Sequence, residues 1–344
     1  MRNLIKKLSE THSLDLDEYE SLIANRNDES RKLLTDLAVE ARKKIYGNKI
    51  FIRGLIEISN FCKNDCFYCG IRRSNFNAQR YRLTPEQIIS CSEEGYKLGF
   101  RTFVLQGGED DFFTDEILGK IIREIKSRHS DCAITLSLGE RTFESYRYLK
   151  VCGADRYLLR HETADRVHYK ILHPVSLSFE NRLKCLYALR RLGYYVGCGF
   201  MVNSPHQTTR YLAEDLKFIE TFKPEMCGIG PFIPHKDTPF KDFEAGTVEL
   251  TCYLLSIIRV INPHILLPST TALGTIDSFG RERGILAGAN VIMPNLSPVD
   301  VRKKYELYDN KICTGEESAQ CRQCLQNRMN KIGYEIVIDR GDIK

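Results

Sequence analysis

Nothing in this sequence is long and apolar enough to cross a membrane: no run of about 18 apolar residues occurs among its 344. The opening stretch, Met1-Arg-Asn-Leu-Ile-Lys-Lys-Leu-Ser, has no h-region of an export signal. A basic arm or stripe is missing too. Lys and Arg number 50 against 45 Asp and Glu, interspersed, for a formal charge of +5. Nucleic acid therefore has no electrostatic footprint to bind. The phosphate-binding glycine fingerprint of many doubly wound folds does not follow the first apolar run. No long repeat, low-complexity stretch or flexible linker breaks the chain. Tryptophan is absent, which excludes nothing. Together these absences predict a cytoplasmic protein with neither membrane nor nucleic acid as partner.

Cysteine, by contrast, is abundant. Thirteen cysteines in a chain without an export signal argue against a disulfide framework and for metal–sulfur ligation in a reducing compartment. Residues 1–46 read as amphipathic helices. Leu4, Leu8, Leu14, Tyr19, Leu22, Leu33, Leu34, Leu37 and Ala38 recur near helical spacing, and Asp15 or Asp17 can cap the second helix. From residue 49 on, short apolar runs alternate with charged helical stretches. Strands are expected at 50–59, 102–107, 133–139, 156–163, 195–202, 226–233, 265–272 and 290–295. Helices are expected at 84–98, 115–127, 143–152, 179–192, 208–222, 247–261 and 281–287. Eight such units predict an α/β fold, a (β/α)8 TIM-type barrel over residues 47–297. Residues 1–46 form an N-terminal helical extension, and 298–344 a C-terminal cap of two helices with a loop.

The ends of the apolar runs support the barrel. Each stops at unusual polar residues: Ser59-Asn60, Gln106-Gly-Gly-Glu109, Ser137-Leu-Gly-Glu140, Arg160-His-Glu-Thr163, Met201–Ser204, Gly230–His235, Ser269-Thr-Thr271 and Pro294-Asn295. A barrel gathers all eight ends on one face around one cavity.

The most specific feature follows the first strand. In Ser59-Asn-Phe-Cys-Lys-Asn-Asp-Cys-Phe-Tyr-Cys-Gly70, Cys62, Cys66 and Cys69 stand in the spacing C-x3-C-x2-C. Zinc ribbons and ferredoxins favour other spacings. Three thiolates here can hold three irons of a 4Fe-4S cluster and leave the fourth open to a small molecule. Tyr68 can pack on that molecule or shield the cluster; a half-buried structural tyrosine is the alternative. Strand alternation puts Arg160 and Glu162 on one face with His161 opposite. Charges pointing into a barrel need partners or a ligand, so Arg160 suits a substrate carboxylate and Glu162 a ribose hydroxyl or an ammonium. An internal Arg–Glu pair is the alternative, and His161 reads as packed on the helix side. Arg182, in the first turn of a helix, is either a solvated arginine or a carboxylate partner. Thr270 and Thr271 end strand seven on opposite faces, and at least one can donate to an anion. Cys313, Cys321 and Cys324, spaced C-x7-C-x2-C, form a second candidate metal site. It suits an auxiliary iron–sulfur cluster; zinc needs a fourth ligand, and no histidine lies nearby in sequence. Cysteines 91, 132, 152, 185, 198, 227 and 252 read as small buried hydrophobes.

The first trio resembles that of the radical S-adenosylmethionine (SAM) family, in which the open iron chelates the amino and carboxylate groups of SAM. Longer strings narrow the resemblance. Ile56-Glu-Ile-Ser-Asn, Cys66-Phe-Tyr-Cys-Gly-Ile-Arg-Arg73, Thr135-Leu-Ser-Leu-Gly-Glu140, Ala154-Asp-Arg-Tyr-Leu-Leu-Arg-His-Glu-Thr-Ala164, Ser178-Phe-Glu-Asn-Arg182, Gly228-Ile-Gly-Pro-Phe-Ile-Pro-His235, Thr270-Thr-Ala-Leu-Gly-Thr275 and Gly288-Ala-Asn-Val-Ile-Met-Pro-Asn295 are similar to the HydE family. That family comprises the radical SAM maturases of FeFe-hydrogenase. With the terminal trio the likeness runs from residue 56 to 324.

This resemblance implies a SAM site around Tyr68, Gln106, Gly107, Gly108, Ser137, Glu162, Arg182, Met201, Ile233 and Met293. It implies an anion or carboxylate site at Arg160, Thr270, Thr271 and Tyr305. It also implies an optional auxiliary cluster, 2Fe-2S or 4Fe-4S, at Cys313, Cys321 and Cys324. The implied substrate is a small organometallic or cysteine-derived molecule: a cysteine-bearing iron carbonyl/cyanide precursor of the two-iron subcluster. A reductant such as ferredoxin or flavodoxin and the other hydrogenase maturases are the implied partners. One departure stands out. The family's Gly-Leu-Pro-Gly-Gln-Thr turn after strand five is here Asn203-Ser-Pro-His-Gln-Thr208, and loss of both glycines is expected to reshape the turn. Two other enzyme readings stay open, an amino-acid-directed enzyme similar to methylornithine synthase and a biotin-synthase-like sulfur inserter. The terminal trio argues against the first, and no arginine-containing second site supports the other. A non-catalytic iron–sulfur scaffold is the third, against which an inward Glu162 and the Gly107-Gly108 turn argue.

Overall fold

The computed structural model describes residues 1–313 and 321–344. Three helices open the chain: α1 (Arg2–Thr11), α2 (Leu16–Ala24) and α3 (Asp28–Tyr46). Asp15 is the residue that caps α2, its N–H donating to Glu18 Oε2 at 2.8 Å. Then come β1 (Lys49–Ile52), β2 (Gly54–Ser59), α4 (Pro85–Lys97), β3 (Thr102–Gly107), α5 (Asp115–Arg128), β4 (Ala133–Ser137), α6 (Phe143–Val151) and β5 (Arg156–Leu158). They are followed by α7 (Arg166–Leu172), α8 (Phe179–Arg191), β6 (Tyr195–Cys198), β7 (Met201–Val202), α9 (Thr209–Phe222), β8 (Met226–Cys227), β9 (Gly230–Pro231) and α10 (Val248–Ile261). The last elements are α11 (Thr271–Ile276), α12 (Gly280–Leu286), β10 (Val291–Ile292), α13 (Val299–Arg302), α14 (Arg322–Lys331) and β11 (Glu335–Val337).

Hydroxyls start the barrel helices. Thr84, Thr114, Thr142, Ser178, Thr208 and Thr247 each accept the backbone N–H three residues on, which satisfies a donor the helix itself leaves free. Strands β2-β3-β4-β5-β6-β8 form one parallel sheet in that order. Parallel bridges Met226↔Leu266, Pro268↔Val291 and Leu55↔Asn295 carry the ring from β8 back to β2. That closes an eight-position barrel. Every residue of β2 is buried, as a strand covered on both faces requires.

Most expected strands are shortened or divided: the first is split into β1 and β2 and the sixth into β8 and β9, the fourth is reduced to β5 and the eighth to β10. The seventh keeps only single bridges at Leu266 and Pro268, because Pro268 lacks an N–H for the ladder and Thr271 already begins α11. The fifth is split into β6 and β7 at Gly199, whose φ is 152°. The C-terminal region also differs from two helices and a loop. It supplies a strand, β11, which pairs in parallel with β1. The tail beyond it closes the lower end of the barrel. There the fully buried Arg156 donates through Nη2 to Arg340 O at 2.8 Å and Asp342 Oδ1 at 2.6 Å. No helix among the described residues is long and apolar enough to span a membrane.

Candidate functional site at the barrel mouth

The first cysteine trio lies on the loop between β2 and α4. The loop is fastened at many points. Arg72 grips Asp65 with two bonds of 2.7 and 2.6 Å, and Ser74 adds two more. Backbone donors tie it to its neighbours: Lys63 N to Glu109 O at 2.9 Å, Phe67 N to Leu172 O at 3.0 Å and Gly70 N to Leu307 O at 2.9 Å. Gly70 has a steric reason. A Cβ there would lie 2.3 Å from the His235 ring and 2.3 Å from Glu306 O. Gly108 has another, since its Cβ would lie 2.2 Å from Phe61 O; a side chain would push the cysteine loop off β3.

The three thiols are half-buried and free. Burial pushes all three above the ordinary thiol range, Cys69 to about 12. Ligation must therefore displace a proton from each. Among the described residues, no three His, Cys, Asp or Glu are disposed to hold one metal ion. A cluster, in which each thiolate takes a different iron, suits thiols that do not converge on one point.

These thiols line a cavity of about 360 Å³ inside the barrel mouth. The residues expected for the cofactor line it too: Tyr68, Gln106, Gly107, Gly108, Ser137, Glu162, Arg182, Met201, Ile233 and Met293. So do Arg160, Thr270, Thr271 and Tyr305. The two threonines do so by a route the strand reading missed. They are the N-cap and first residue of α11, so both can face the cavity where a strand would have parted them.

Four buried atoms on this wall have no hydrogen-bond partner: Arg160 Nε and Nη2, Glu162 Oε2 and Thr270 Oγ1. Arg160 Nη2 is 3.0 Å from Glu162 Oε2, near enough to attract but not aligned to donate. Arg160 and Glu162 thus form the internal ion pair that their shared face allows, and Thr270 Oγ1 is left without a hydrogen-bond partner beside them. Glu162 adopts a left-handed backbone, φ 67°, which strains a residue with a side chain. It is held there by Glu162 N donating to Gly199 O at 3.0 Å and by its neighbour. His161 is fully buried on the helix side, accepting from Gly199 N–H at Nδ1 (3.3 Å) and donating from Nε2 to Asp215 at 3.1 Å. Burial holds His161 down to about 3, so the ring is neutral.

Arg182 is buried and engaged, donating to Glu140 Oε1 at 2.6 Å and to Arg160 O at 2.9 Å. That rules out the solvated arginine and leaves Nη2 for a ligand. Tyr68 OH donates to His173 Nε2 at 3.2 Å. His173 Nδ1 is committed to Tyr169 O at 2.9 Å, which fixes the tautomer. The hydroxyl of Tyr68 is thus tied back, and the ring is what it offers the cavity.

Sequence reasoning missed four residues of this wall. Glu57, in the middle of β2, meets Lys311 Nζ at 2.5 Å and Asn295 Nδ2 at 2.9 Å. Lys311 also donates to Tyr305 O at 2.8 Å. Deeper in the cavity, Arg53 donates to Met226 Sδ at 2.9 Å, while its Nε and Nη2 and the Thr135 hydroxyl lack partners. A charge inside an apolar strand, as at Arg53 and Glu57, was the available signal. Lys311 gave none, because it arrives from a loop far along the chain. A larger groove of about 1200 Å³ lies outside and shares Asn64 and Glu109 with the inner cavity.

The terminal cysteines are arranged differently. Cys321 and Cys324 are joined by a disulfide. Cys313 is buried, its sulfur accepting from Arg281 Nη2 at 2.8 Å. A metal there needs the disulfide opened first. Six of the seven scattered cysteines are buried and Cys252 is half-buried. The Asn203–Thr208 turn has left-handed backbone at the two positions where the family pattern has glycine, φ 57° at Asn203 and 62° at His206. Gln207 holds it, accepting from Asn203 N at 2.6 Å and donating to Met201 O at 2.8 Å.

Comparison with known proteins adds the following. The sequence model of the Radical SAM superfamily matches residues 56–219. The FeFe hydrogenase maturase subunit HydE of Thermotoga maritima is 45% identical over 311 residues, 90% of this chain and 88% of that one. The 3-methylornithine synthase of Methanosarcina acetivorans is 25% identical over 306 residues, 88% of this chain and 86% of that one. Among solved structures, methylornithine synthase superposes with a TM-score of 0.80 at 23% identity, covering 97% of both chains. The hydrogenase maturase HydG superposes with 0.81 at 20% identity, covering 98% of this chain and 75% of that one. At these identities the two structures speak for the barrel fold alone.

Proposed function

We propose that this chain, which belongs to the HydE family of the radical SAM superfamily, matures the active site of FeFe-hydrogenase by acting on a cysteine-bearing iron carbonyl/cyanide precursor. It is a radical SAM enzyme. A 4Fe-4S cluster held by Cys62, Cys66 and Cys69, with one iron free of protein ligands, would supply the single electron that cleaves SAM to a 5′-deoxyadenosyl radical. The chain's own residues do the rest. Glu162 accepts a ribose hydroxyl or ammonium, and Arg182, braced by Glu140, offers its remaining nitrogen to the SAM carboxylate. The Gly107-Gly108 turn presents backbone carbonyls to the methionyl amino group. Tyr68, Met201, Ile233 and Met293 give an apolar surface, with Gln106 and Ser137 as polar neighbours. Across the cavity Arg160, Thr270, Thr271 and Tyr305 receive the substrate carboxylate, the guanidinium as a fork. An enclosed cavity keeps a carbon radical from water.

The observation that carries this reading is the make-up of one cavity wall. The Arg160–Glu162 ion pair, whose facing atoms are 3.0 Å apart without an aligned hydrogen bond, and the unpartnered Thr270 hydroxyl share the cavity with three free thiols. Ferredoxin or flavodoxin would supply the electron in the cytoplasm, and other maturases the precursor. The terminal trio is a candidate for an auxiliary cluster once its disulfide is reduced. The test is anaerobic reconstitution with iron and sulfide, then SAM and dithionite. The product should be 5′-deoxyadenosine, and with the remaining maturases the mixture should activate apo-hydrogenase. No 5′-deoxyadenosine from cluster-loaded protein would contradict the SAM site. Cleavage of SAM without hydrogenase activation would sink the maturase assignment alone.

A further inference from the structure

We infer that Arg80 is a positioning residue of the cluster-binding loop, clamping both flanks of the cysteine trio with one guanidinium and setting the potential at which the cluster takes its electron. The inference rests on the reading above that Cys62, Cys66 and Cys69 hold a 4Fe-4S cluster.

Arg80 is half-buried at the end of the loop. Its Nη1 donates to Asn60 O and, at 2.8 Å, to Ile71 O. Its Nη2 donates to Arg72 O at 2.6 Å and to Asn75 O at 3.1 Å. All four terminal N–H groups of a guanidinium are therefore in use. The chain positions matter more than the number of bonds. Asn60 precedes Cys62 by two residues, and Ile71 follows Cys69 by two. One planar group thus fixes where the trio begins and where it ends. Asn60 and Asn75 reinforce the clamp, donating to Gln79 O at 2.8 Å and Gly70 O at 2.7 Å. A lysine carries three donors on one atom and cannot span four carbonyls in a plane.

The charge has a second consequence. The bonds of Arg80 Nη1 and Nη2 all go to backbone carbonyls, none to a carboxylate, and those to Asn60 and Ile71 place its charge two residues from Cys62 and from Cys69. Reducing a cluster adds negative charge at the same place, so a cation there favours the reduced form.

Arg80→Gln and Arg80→Lys, reconstituted anaerobically beside the unaltered chain, separate the two effects. Paramagnetic resonance during a redox titration reads the potential, and iron loss to excess chelator reads the clamp. Gln removes charge and fork. At the unaltered chain's midpoint its reduced-to-oxidised ratio should fall at least tenfold, which is 59 mV for a one-electron couple, and iron should leave at least tenfold faster. Lys keeps the charge and loses the fork, so iron should leave faster while the midpoint moves by less than half as much. An unshifted midpoint in Arg80→Gln overturns the electrostatic role, and unchanged iron loss in both variants overturns the clamp. Variants that fold but retain no cluster uphold the clamp. Apo variants that melt well below the unaltered apo protein would make Arg80 a residue of the fold and overturn the inference. If the unaltered chain itself takes up no four-iron cluster, the reading beneath the inference has failed instead.

Discussion

The two cysteine trios of this chain differ in almost everything but composition. Cys62, Cys66 and Cys69 are free thiols on a loop fixed by side-chain and backbone bonds, and they line the barrel cavity. Cys321 and Cys324 are bonded to each other, while Cys313 is buried against Arg281. The first trio has a scaffold that holds it open, with the Arg160–Glu162 ion pair and the Thr270 hydroxyl across the cavity. The second, among the described residues, has its sulfurs engaged within the protein. The same residue type at two regular spacings thus sits in two different surroundings.

Breaking the first trio should have the largest effect. Replacing any one of Cys62, Cys66 or Cys69 with Ala should abolish 5′-deoxyadenosine formation, and full turnover in a single variant would refute the site. Next come the two residues facing the trio. Truncating one member of a buried charge–ligand pair costs about 2–5 kcal/mol, or roughly 30-fold and more in affinity. Arg160→Ala should weaken substrate binding by that factor and leave SAM affinity nearly unchanged. Glu162→Ala should weaken SAM first. Equal loss of SAM affinity in both would merge the two halves of the cavity.

A smaller effect sharpens the account of the loop's rigidity. Burial, opposed only in part by a bond to Tyr169 O, holds His173 down to about 3. Its folded pKa lies below that of an unfolded histidine, near 6.5. The stability that depends on neutral His173 is therefore full above about pH 6.5 and lost as pH falls toward 3, at up to about 1.4 kcal/mol per pH unit. In apo protein, the denaturation free-energy gap between the native chain and His173→Phe should shrink over that window. A gap independent of pH would mean His173 is not kept neutral. Smallest is the Asn203–Thr208 turn. A left-handed backbone costs a residue with a side chain about 1–2 kcal/mol, and Asn tolerates it better than His. Glycine's own entropic cost offsets part of the gain. His206→Gly should raise stability by about 0.5 kcal/mol and Asn203→Gly by less, read from urea midpoints.

How much of this was legible depended on range along the chain. The first trio, the Gly107-Gly108 turn and the Asp15 cap are local patterns, and the structure places the trio on the loop after β2, the glycines at the end of β3 and Asp15 at the start of α2. The barrel followed from the alternation of strands and helices together with the polar residues at the strand ends. The reductions were less visible. The seventh strand is cut short because one residue, Pro268, has no N–H to donate to the ladder, and its threonines then begin a helix. β11 was missed because Glu335–Val337 is only three residues, with too little periodicity to read. Glu57 and Lys311 are 254 positions apart; only the closed barrel brings them together. The turn at Asn203 and His206 was expected to change because its glycines were gone. In this chain both positions are left-handed, and hydrogen bonds to and from Gln207 hold that backbone in place.

The contrast between the trios is tested most directly in one protein, the Cys313→Ala, Cys321→Ala, Cys324→Ala triple variant, reconstituted anaerobically and reduced. Its paramagnetic resonance spectrum should show one reduced 4Fe-4S cluster that changes on adding SAM as the unaltered chain's does, with 5′-deoxyadenosine formed at an undiminished rate. A folded triple variant whose reduced cluster is indifferent to SAM would contradict the claim that the first trio alone builds the site.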